Sequence, residues 1–517
     1  MTRALTERYG DRIAGVLSCY DRVVITGTVP VICYAEGMTR FLYANGIRIF
    51  DYPAFAMKLR DRVRDGAASL AAAAGITIEH IAKSHIRKEE VVARVLEQRG
   101  DHPGLVHVLS AMEACDSYRP WHDKASGRTF VRPDSGKCLH YYFYFMDADL
   151  GLVYLRVPTW SPFRLQFYCN GHSWLARRMT AEGLGYAMAD NAFVRIDNWQ
   201  RAQELADALS PDLLHRTLDG YAAQCCPVSD VFGQSYHWTA FRRCLARANE
   251  TLNWSLMQVE YATDLAFRSA ATLGPLYEQL VRQSVLGVKA EQVASFLGRK
   301  ITPQLAQEIG SQFSTRIEGT CIKHRFGKSS IKMYDKCGIV LRIETTTNDV
   351  SFFKHHRKVE HREGPPTREL APVKKSIYSL IDLREILHGC NRRYLAHLSA
   401  LDDFSAGVRA LDRLTKPRKV EQKTVKGINF FEPGDSALLH AMQNPRVNIA
   451  GIRRADLLGQ LEMFSPNRLS RHLRRLLDLG VIKRITGTYR YYLTKAGRAA
   501  TAAAERLTAA TIIPALV

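Results

Sequence analysis

The sequence predicts an α+β protein: a mixed α/β body with an antiparallel sheet and a helical insertion, followed by a C-terminal winged helix-turn-helix. Three patterns predict this class. Strand-like and helix-like runs alternate at the start, apolar and polar residues alternate with period two in the middle, and a helix-turn-helix pattern precedes a hairpin near the end. The predicted regions are an N-terminal α/β region at 1–125, a central antiparallel-sheet body at 126–404 with the helical insertion at 199–312, a basic linker at 405–434 and a winged helix-turn-helix domain at 435–517.

The N-terminal region alternates short apolar runs with helical patterns. "DRVVITGTV" at 21–29 and "GLVHVLSAME" at 104–113 are typical of strands. The Ala-rich stretch at 56–75 carries charged residues throughout, as a packed helix does, and "KEEVVARVLEQRG" at 88–100 also has helical periodicity. This alternation indicates α/β structure.

The central body begins with the period-two pattern of three antiparallel strands at 138–170. The polar face of the third strand consists of Arg164, Gln166, Tyr168 and Asn170. This face could meet a nucleic-acid backbone, and Tyr142 and Tyr144 could stack on bases. Aromatic strands packed in a core are the alternative. A second sheet pattern follows at 313–353, and helical stretches follow at 372–402.

The charge of the chain indicates its class of partner. The net charge is +21 and the pI is about 9.5. Such an excess favours a polyanion, because each phosphate neutralised by Lys or Arg releases a condensed counterion. No stretch approaches the roughly 18 apolar residues of a membrane span, the start lacks a secretory pattern, and no CxxC pair indicates zinc. We therefore expect a cytoplasmic protein that binds nucleic acid and no membrane.

Residues 435–498 follow the order helix, helix, helix, hairpin. Ser465 is a good N-cap before Pro466, and Gly480 stands where a helix ends in the left-handed conformation. The segment "LSRHLRRLLDLGVIKRI" resembles the winged-helix domains of bacterial repressors of the MarR type. The resemblance implies that the arginine-bearing helix enters the major groove of DNA. The implied DNA contacts are Arg468, Arg471 and Arg475 on the helix, with Lys483, Arg484 and Arg490 on the wing. A winged helix used for protein contacts is the alternative.

The stretch "GKSSIKMYDKCGIVLRIETT" at 327–346 predicts a hairpin whose loop covers residues 336–338, with Gly338 at positive φ. The predicted register sets Ile331 opposite Ile343, Met333 opposite Leu341 and Lys332 opposite Arg342. The like-charged pair is disfavoured unless an anion lies between its members. Glu344, diagonal from Lys332, or a phosphate could supply that negative charge.

Tyr334 shares the polar face of this hairpin with Lys332 and Arg342, which makes it a candidate nucleophile. The two cations would favour its phenolate and stabilise charge that develops on a phosphodiester. A stable hairpin with an exposed tyrosine, or phosphate binding without chemistry, would explain the same residues.

Carboxylates near the hairpin predict a divalent metal. The tripeptide Arg-Ile-Glu occurs twice, so Glu318 and Glu344 could lie on one face and hold Mg²⁺ or Mn²⁺, with His324 as a third ligand. Asp21 could join these carboxylates if its strand neighboured the strand at 342–346.

The segment "GTCIKHRFGKSSIKMYDKCGIVLRIET" resembles the motif of rolling-circle replication initiators from plasmids and filamentous phages. The resemblance puts Asp335, Arg342 and Glu344 at motif positions, which adds Asp335 to the predicted metal ligands. It implies that a tyrosine attacks DNA with help from a divalent metal. The paired His-x-His motif of many such proteins is absent from this sequence.

The leading hypothesis is a DNA-processing protein of a mobile element, a replication initiator or transposase that cleaves and joins strands. One alternative is a non-enzymatic winged-helix transcriptional regulator, which a homodimer would favour because such repressors bind two half-sites. The other is a structured-RNA-binding protein that uses the tyrosine-rich sheet.

Overall fold

The structure is a computed structural model. It describes residues 4–30, 32–83, 85–100, 102–228, 252–299, 313–318, 320–361, 363–402, 405–420, 423–443 and 451–515. Helices and a large sheet occur together, which confirms the α+β class. The chain divides into two compact units, Met1–Leu401 and Asp402–Val517. Within the described ranges no helix combines the length and the apolar character needed to cross a membrane.

An eleven-stranded sheet organises the first unit. The strands of this unit, numbered along the chain, are β1 (Ile13–Thr28), β2 (Glu79–His80), β3 (Gly104–Asp123), β4 (Arg128–Asp147), β5 (Gly151–Pro158), β6 (Leu165–Asn170), β7 (Tyr186–Ala189), β8 (Ala192–Ile196), β9 (Asn253–Phe267), β10 (Phe313–Glu318), β11 (Cys321–Phe326), β12 (Ser329–Lys336), β13 (Val340–Thr347), β14 (Lys354–Val359) and β15 (Thr367–Pro372). The order across the sheet is β10-β11-β12-β13-β9-β1-β6-β5-β4-β3-β2, while β7–β8 and β14–β15 form separate hairpins. Its pairs are antiparallel, except for the short parallel pair of β2 with β3.

The helices of the first unit follow the predicted periodicity. They cover Leu5–Arg8, Ala35–Ala44, Tyr52–Ala73, Lys88–Arg99, Gly171–Ala181, Trp199–Asp207, Pro211–Cys225, Ala270–Gly287, Ala290–Phe296 and Leu380–Asp402, with short 3₁₀ turns at Ile49–Asp51, Val350–Phe352 and Ile377–Ser379. The predicted helices at 56–75 and 88–100 are confirmed. In the first of them Ala56, Leu59 and Val63 are buried at a spacing of three and four residues, which is why this Ala-rich segment packs as a helix.

The structure differs from one predicted domain boundary and from two predicted regions. Residue 125 falls inside the hairpin of β3 and β4, which pair along their whole length, so no domain ends there. The predicted helical insertion at 199–312 is interrupted by β9, a central strand of the sheet. The predicted linker at 405–434 contains the helix Ser405–Thr415 and the strands β16 (Arg418–Val420) and β17 (Lys423–Val425). Residues 229–251 and 300–312 of the predicted insertion lie outside the described part of the chain.

The two faces of the sheet differ in chemistry on β9, β12 and β13. One face, here the apolar face, buries Ile331, Met333 and Ile343. The opposite face carries Glu260 and Glu344 and is here the acidic face. Period-two alternation produces this division, because successive side chains of a strand point to opposite sides.

The hairpin of β12 and β13 forms, but its loop and register differ from the prediction. Lys336 pairs with Val340, so the loop is residues 337–339, and both Cys337 and Gly338 have positive φ. The register moves by two residues, which leaves each side chain on its predicted face and sets Lys332 opposite Glu344. The predicted like-charge conflict is therefore replaced by an opposite-charge pair.

The second unit contains the predicted winged helix-turn-helix. Its helices are Pro433–Met442, Arg454–Gln460, Pro466–Asp478 and Lys495–Leu507, the last continued by a π turn at Thr508–Ile512 and the short helix Ile513–Ala515, and its further strands are β18 (Ile452–Arg453), β19 (Ile482–Arg484) and β20 (Arg490–Leu493). The Ser465 hydroxyl caps the third of these helices by accepting a hydrogen bond from the Arg468 amide, and Gly480 has φ of 72°. Leu469, Leu473 and Leu476 of the same helix are buried in the core of this unit.

Candidate metal centre

A β-bulge brings Asp21 to the carboxylates of the central strands. The pairing of β1 with β9 loses register between Tyr20 and Val23. Over this stretch two residues of β1, Asp21 and Arg22, oppose Glu260 of β9. A bulge bends its strand and re-aims a side chain, and bulges recur beside active sites.

Three carboxylates meet on the acidic face, and we call Asp21, Glu260 and Glu344 the carboxylate triad. One oxygen of each lies within 4.8 Å of the others. The three residues come from β1, β9 and β13, which are neighbours in the sheet. The side chain of Glu344 is 1% exposed, that of Asp21 is 11% exposed and that of Glu260 is 12% exposed, so the triad is nearly closed and solvent reaches it at Asp21 and Glu260.

Glu344 is held by three hydrogen bonds. The Lys332 ammonium donates to Oε1 at 2.6 Å, and the Tyr334 hydroxyl donates to Oε2 at 2.6 Å. The Thr346 hydroxyl adds a bond to Oε1 at 3.1 Å. These three bonds fix the carboxylate in position.

Glu260 has weaker partners. Gln258 donates to its Oε1 at 3.0 Å, while the Lys332 ammonium and the Arg22 guanidinium lie 3.8 and 4.0 Å away. Burial, followed by the charge of Glu344, raises the pKa of Glu260 from 4.5 to about 7, although Lys332 and Arg22 oppose the shift. Glu260 is therefore the member of the triad that changes charge near neutral pH.

The pKa of Asp21 is shifted in the direction opposite to that of Glu260. Asn170 and Asn191 donate to its Oδ1 at 3.2 and 2.9 Å, and Nδ1 of His172 lies 3.1 Å from the same oxygen. Burial alone would raise the pKa of this carboxyl. The pKa of Asp21 nevertheless lies well below its ordinary value, because His172, Arg342 and Asn170 stabilise the carboxylate.

Arg342 is completely buried behind the triad. Its guanidinium donates to both carboxylate oxygens of Asp264 at 2.7 Å and to the Asn191 carbonyl at 2.8 Å. It also lies 3.0 Å from Nε2 of His172. The prediction that Arg342 stabilises a phosphodiester directly is wrong, because a fully buried group engaged in this way cannot touch a substrate. Its role is to position Asp264 and His172.

The donor atoms of the triad fit Mg²⁺ or Mn²⁺. Both ions prefer oxygen ligands, and the triad supplies carboxylate oxygens on three strands that the sheet holds in place. Because burial and the charge of Glu344 raise the pKa of Glu260, this carboxyl would lose its proton when such an ion binds beside it. In this structure the Lys332 ammonium is hydrogen-bonded to Glu344.

Of the predicted metal ligands, Glu344 belongs to the triad, and Glu318 and Asp335 do not. Glu318 lies at the exposed end of β10, 3.7 Å from Lys323. Asp335 pairs with Leu341 and therefore lies on the other face of the sheet. The carboxylates that lie beside Glu344 in the structure are those of Asp21 and Glu260.

His324 is not a ligand of the triad either. It is buried on the apolar face, where its ring bonds Thr315 at 2.9 Å and Tyr394 at 3.1 Å. Burial, followed by the charge of His397, lowers the pKa of His324 to about 4. This histidine is a neutral structural group.

Tyr334 was predicted to form a phenolate because two cations lie near it, and this prediction is wrong. Burial and the charge of Glu344 raise the pKa of Tyr334 far above its ordinary value, against the opposing effect of Arg342. The hydroxyl keeps its proton and donates a hydrogen bond to Glu344. Tyr334 is therefore placed as a positioning group for a triad carboxylate.

Glu260 and Asp264 were not among the predicted site residues. Both belong to β9, which was assigned to a helical region. A signal was present: in "QVEYATDLAF" at 258–267, Val259, Tyr261 and Leu265 are apolar and alternate with polar or small residues. Period two in this segment predicts a strand that carries its acidic residues on one face.

Tyr142 and Tyr144 belong to a core, as the alternative prediction held. The Tyr142 hydroxyl donates to Glu113 at 2.7 Å, and the Lys88 ammonium lies 4.4 Å from the centre of its ring. Tyr144 is 3% exposed and belongs to a hydrophobic cluster with Val92. Neither ring is available to stack on a base.

Most of the predicted DNA contacts of the winged helix are at its surface. Arg468, Arg471, Lys483 and Arg484 are exposed. Arg490 is partly buried and donates to the Gly451 carbonyl at 3.4 Å. Arg475 is the exception: it is partly buried and bonds the buried Asp435, so its predicted contact with DNA is replaced by a structural ion pair.

In comparisons with known proteins, the chain matches no protein-family model, no curated protein and no solved structure.

Proposed function

We propose that this protein is a metal-dependent enzyme that cleaves DNA strands and is guided to its site by the winged helix. The observation that carries the proposal is the meeting of Asp21, Glu260 and Glu344 within 4.8 Å on three adjacent strands. Carboxylate groups of this kind hold the divalent ions that assist phosphodiester cleavage.

The chain's own residues would prepare the site in two ways. Tyr334 and Lys332 fix the carboxylate of Glu344 through two hydrogen bonds of 2.6 Å. Arg342 and Asp264 hold His172 beside Asp21, which keeps that carboxylate charged.

A divalent ion bound by the triad would polarise a phosphoryl oxygen and stabilise the negative charge that develops in the transition state. The Lys332 ammonium, which lies between Glu344 and Glu260, is the protein cation nearest to that charge. It would add to the stabilisation without leaving the site.

The winged helix supports DNA as the substrate. Its exposed Arg468 and Arg471 lie on the helix that such domains insert into the major groove, and Lys483 and Arg484 lie on the wing. The positive net charge of +21 favours the same partner. Strand cleavage and site recognition in one chain would suit a cytoplasmic protein of a mobile element. Its process would be replication initiation or transposition.

The proposal is tested by incubating the full chain with single-stranded and duplex oligodeoxynucleotides, with Mn²⁺, Mg²⁺ or EDTA. We expect strand cleavage that depends on the metal. Glu344→Gln should abolish it, while Glu318→Gln, the same change at an exposed carboxylate outside the triad, should leave it intact.

Three outcomes would redirect the proposal. Equal cleavage by both variants would show that the triad does not hold the catalytic metal. Duplex binding with no cleavage under any condition would favour the non-enzymatic regulator. A covalent adduct that disappears in Tyr334→Phe would restore the tyrosine as nucleophile; we expect no adduct, because its pKa is raised.

A further inference from the structure

A row of basic side chains leads across the sheet to the triad. In the register of β10 to β13, Arg316 pairs with Lys323, Lys323 with Lys332, and Lys332 with Glu344. Directly paired residues of an antiparallel sheet share a face, and neighbouring strands lie about 4.8 Å apart. Three consecutive strands therefore present cations in one line on the acidic face, and this line ends at a triad carboxylate.

The exposure of this row increases away from the triad. The side chain of Lys332 is 18% exposed, that of Lys323 is 30% exposed, and Arg316 is exposed. Lys323 lies 3.7 Å from Glu318, a loose ion pair in which the ammonium can also meet a second anion. The row, defined as Arg316, Lys323 and Lys332, is built to contact consecutive negative charges that approach from solvent.

The other side of the triad carries a different surface. Arg22, whose side chain is 50% exposed, lies 5.6 Å from the centre of the Tyr168 ring. Tyr168 in turn stacks on Tyr154, with ring centroids 5.1 Å apart and planes inclined by 8°. Both tyrosines are partly buried, and Gln166 of the same strand lies beside Tyr154. Tyr168 and Arg22 lie on the acidic face, and Tyr154 anchors them by packing against the hydrophobic cluster that contains Tyr142 and Tyr144.

We propose that a single strand of DNA crosses the acidic face perpendicular to the β-strands. Its phosphates contact the basic row on one side of the triad, and its bases contact Arg22 and the Tyr168–Tyr154 stack on the other side. The proposal rests on the proposed function for the choice of DNA, and it adds the path that the strand takes and the requirement that the strand be unpaired.

The requirement for an unpaired strand follows from the chemistry of the two sides. A duplex presents phosphates to a protein but keeps its bases stacked on one another, whereas aromatic and arginine groups bind bases that have left the stack. A phosphate row followed directly by an aromatic stack is complementary to a single strand. Bound in this way, one phosphodiester lies over the triad, between the contacts on its two sides.

The test measures binding by the full chain to a fluorescent oligodeoxynucleotide, to its duplex and to RNA of the same sequence, in EDTA. Metal-dependent cleavage does not occur there, so the result stands whether or not the protein is a nuclease. The variants are Arg316→Gln with Lys323→Gln, and separately Tyr168→Leu. Lys328→Gln, an exposed cation outside the row, is the matched control.

We expect the double variant to lower the slope of log affinity against log salt for single-stranded DNA by about 1.4, about 0.7 for each cation removed. Tyr168→Leu should weaken single-strand binding about tenfold and Tyr168→Phe should not, because stacking needs the ring and not the hydroxyl. Duplex affinity, which the winged helix would dominate, should be unchanged in all of these variants.

Three results would overturn the proposal. The double variant could keep the wild-type salt slope for single-stranded DNA. The variants could weaken duplex binding as much as single-strand binding, which would make this a duplex surface. Tighter binding of RNA than of DNA, lost in the same variants, would assign the surface to RNA.

Discussion

Glu260 should make the stability of the protein depend on pH in a direction opposite to that of an ordinary paired carboxylate. The substitution Glu260→Gln removes the titrating proton and keeps the size of the side chain. Burial and the facing carboxylates of Glu344 and Asp21 raise the pKa of Glu260 from 4.5 to about 7, while Lys332 and Arg22 act against the shift. The folded protein therefore binds this proton more tightly than the unfolded chain does.

The sign and the size of the effect follow from linkage. The stability that the proton contributes is fully present below about pH 4.5 and is lost as the pH rises through about 7. A shift of this size corresponds to about 3 kcal/mol of unfolding free energy. Between about pH 5 and pH 8 wild type should lose roughly 2–3 kcal/mol relative to Glu260→Gln, because the variant has no proton to lose.

Urea unfolding at a series of pH values measures this difference, with metal chelated throughout. Glu318→Gln is the control, since its carboxylate is exposed and outside the triad. If the free energies of wild type and Glu260→Gln ran parallel across the range, Glu260 would not titrate as its surroundings imply. In a separate experiment without chelator, added Mn²⁺ should raise the wild-type melting temperature at pH 8. At pH 5 it should hardly do so, because only about one-hundredth of Glu260 is charged there. Mn²⁺ should not stabilise the Glu260→Gln variant at either pH.

Three further substitutions separate structural from binding residues. Arg342→Met should destabilise the protein by about 3–5 kcal/mol in chemical unfolding, because it leaves Asp264 buried without its cation; a loss below about 0.5 kcal/mol, as at a surface site, would contradict this reasoning. Arg471→Ala should lower the salt slope of duplex binding by about 1 and leave the melting temperature unchanged. Arg475→Ala should instead lower stability by about 1–3 kcal/mol, since Asp435 loses its partner; a selective loss of DNA affinity would return Arg475 to the interface.

The hairpin of β12 and β13 shows how far sequence patterns reach. Alternation assigned Lys332 and Tyr334 to one face and Met333 to the other, and the burial of Met333 agrees with this. The loop was displaced by one residue, because two neighbours, Cys337 and Gly338, both adopt positive φ. A register that moves by two residues preserves the faces and changes every partner, so alternation could predict the faces but not the pairing of Lys332 with Glu344.

The triad shows where sequence patterns stop. Glu344 was predicted as a ligand, and Asp21 was considered only on the condition that its strand neighboured the strand at 342–346. The two strands are not neighbours: β9 lies between β1 and β13, and it joins parts of the chain more than two hundred residues apart. The repeated Arg-Ile-Glu suggested Glu318 as the second ligand, but β10 lies at the far edge of the sheet.

The sequence alone determined features that depend on neighbouring residues: the helices at 56–75 and 88–100, the antiparallel strands at 138–170, and the cap and glycine that bound the third helix of the winged helix. Each of these follows from side-chain periodicity or backbone conformation over a few residues. Only the tertiary structure decided which carboxylates meet, which arginine is buried and which cations form a row. Strand order and a single bulge set those distances, and both arise from long-range packing that local patterns do not encode.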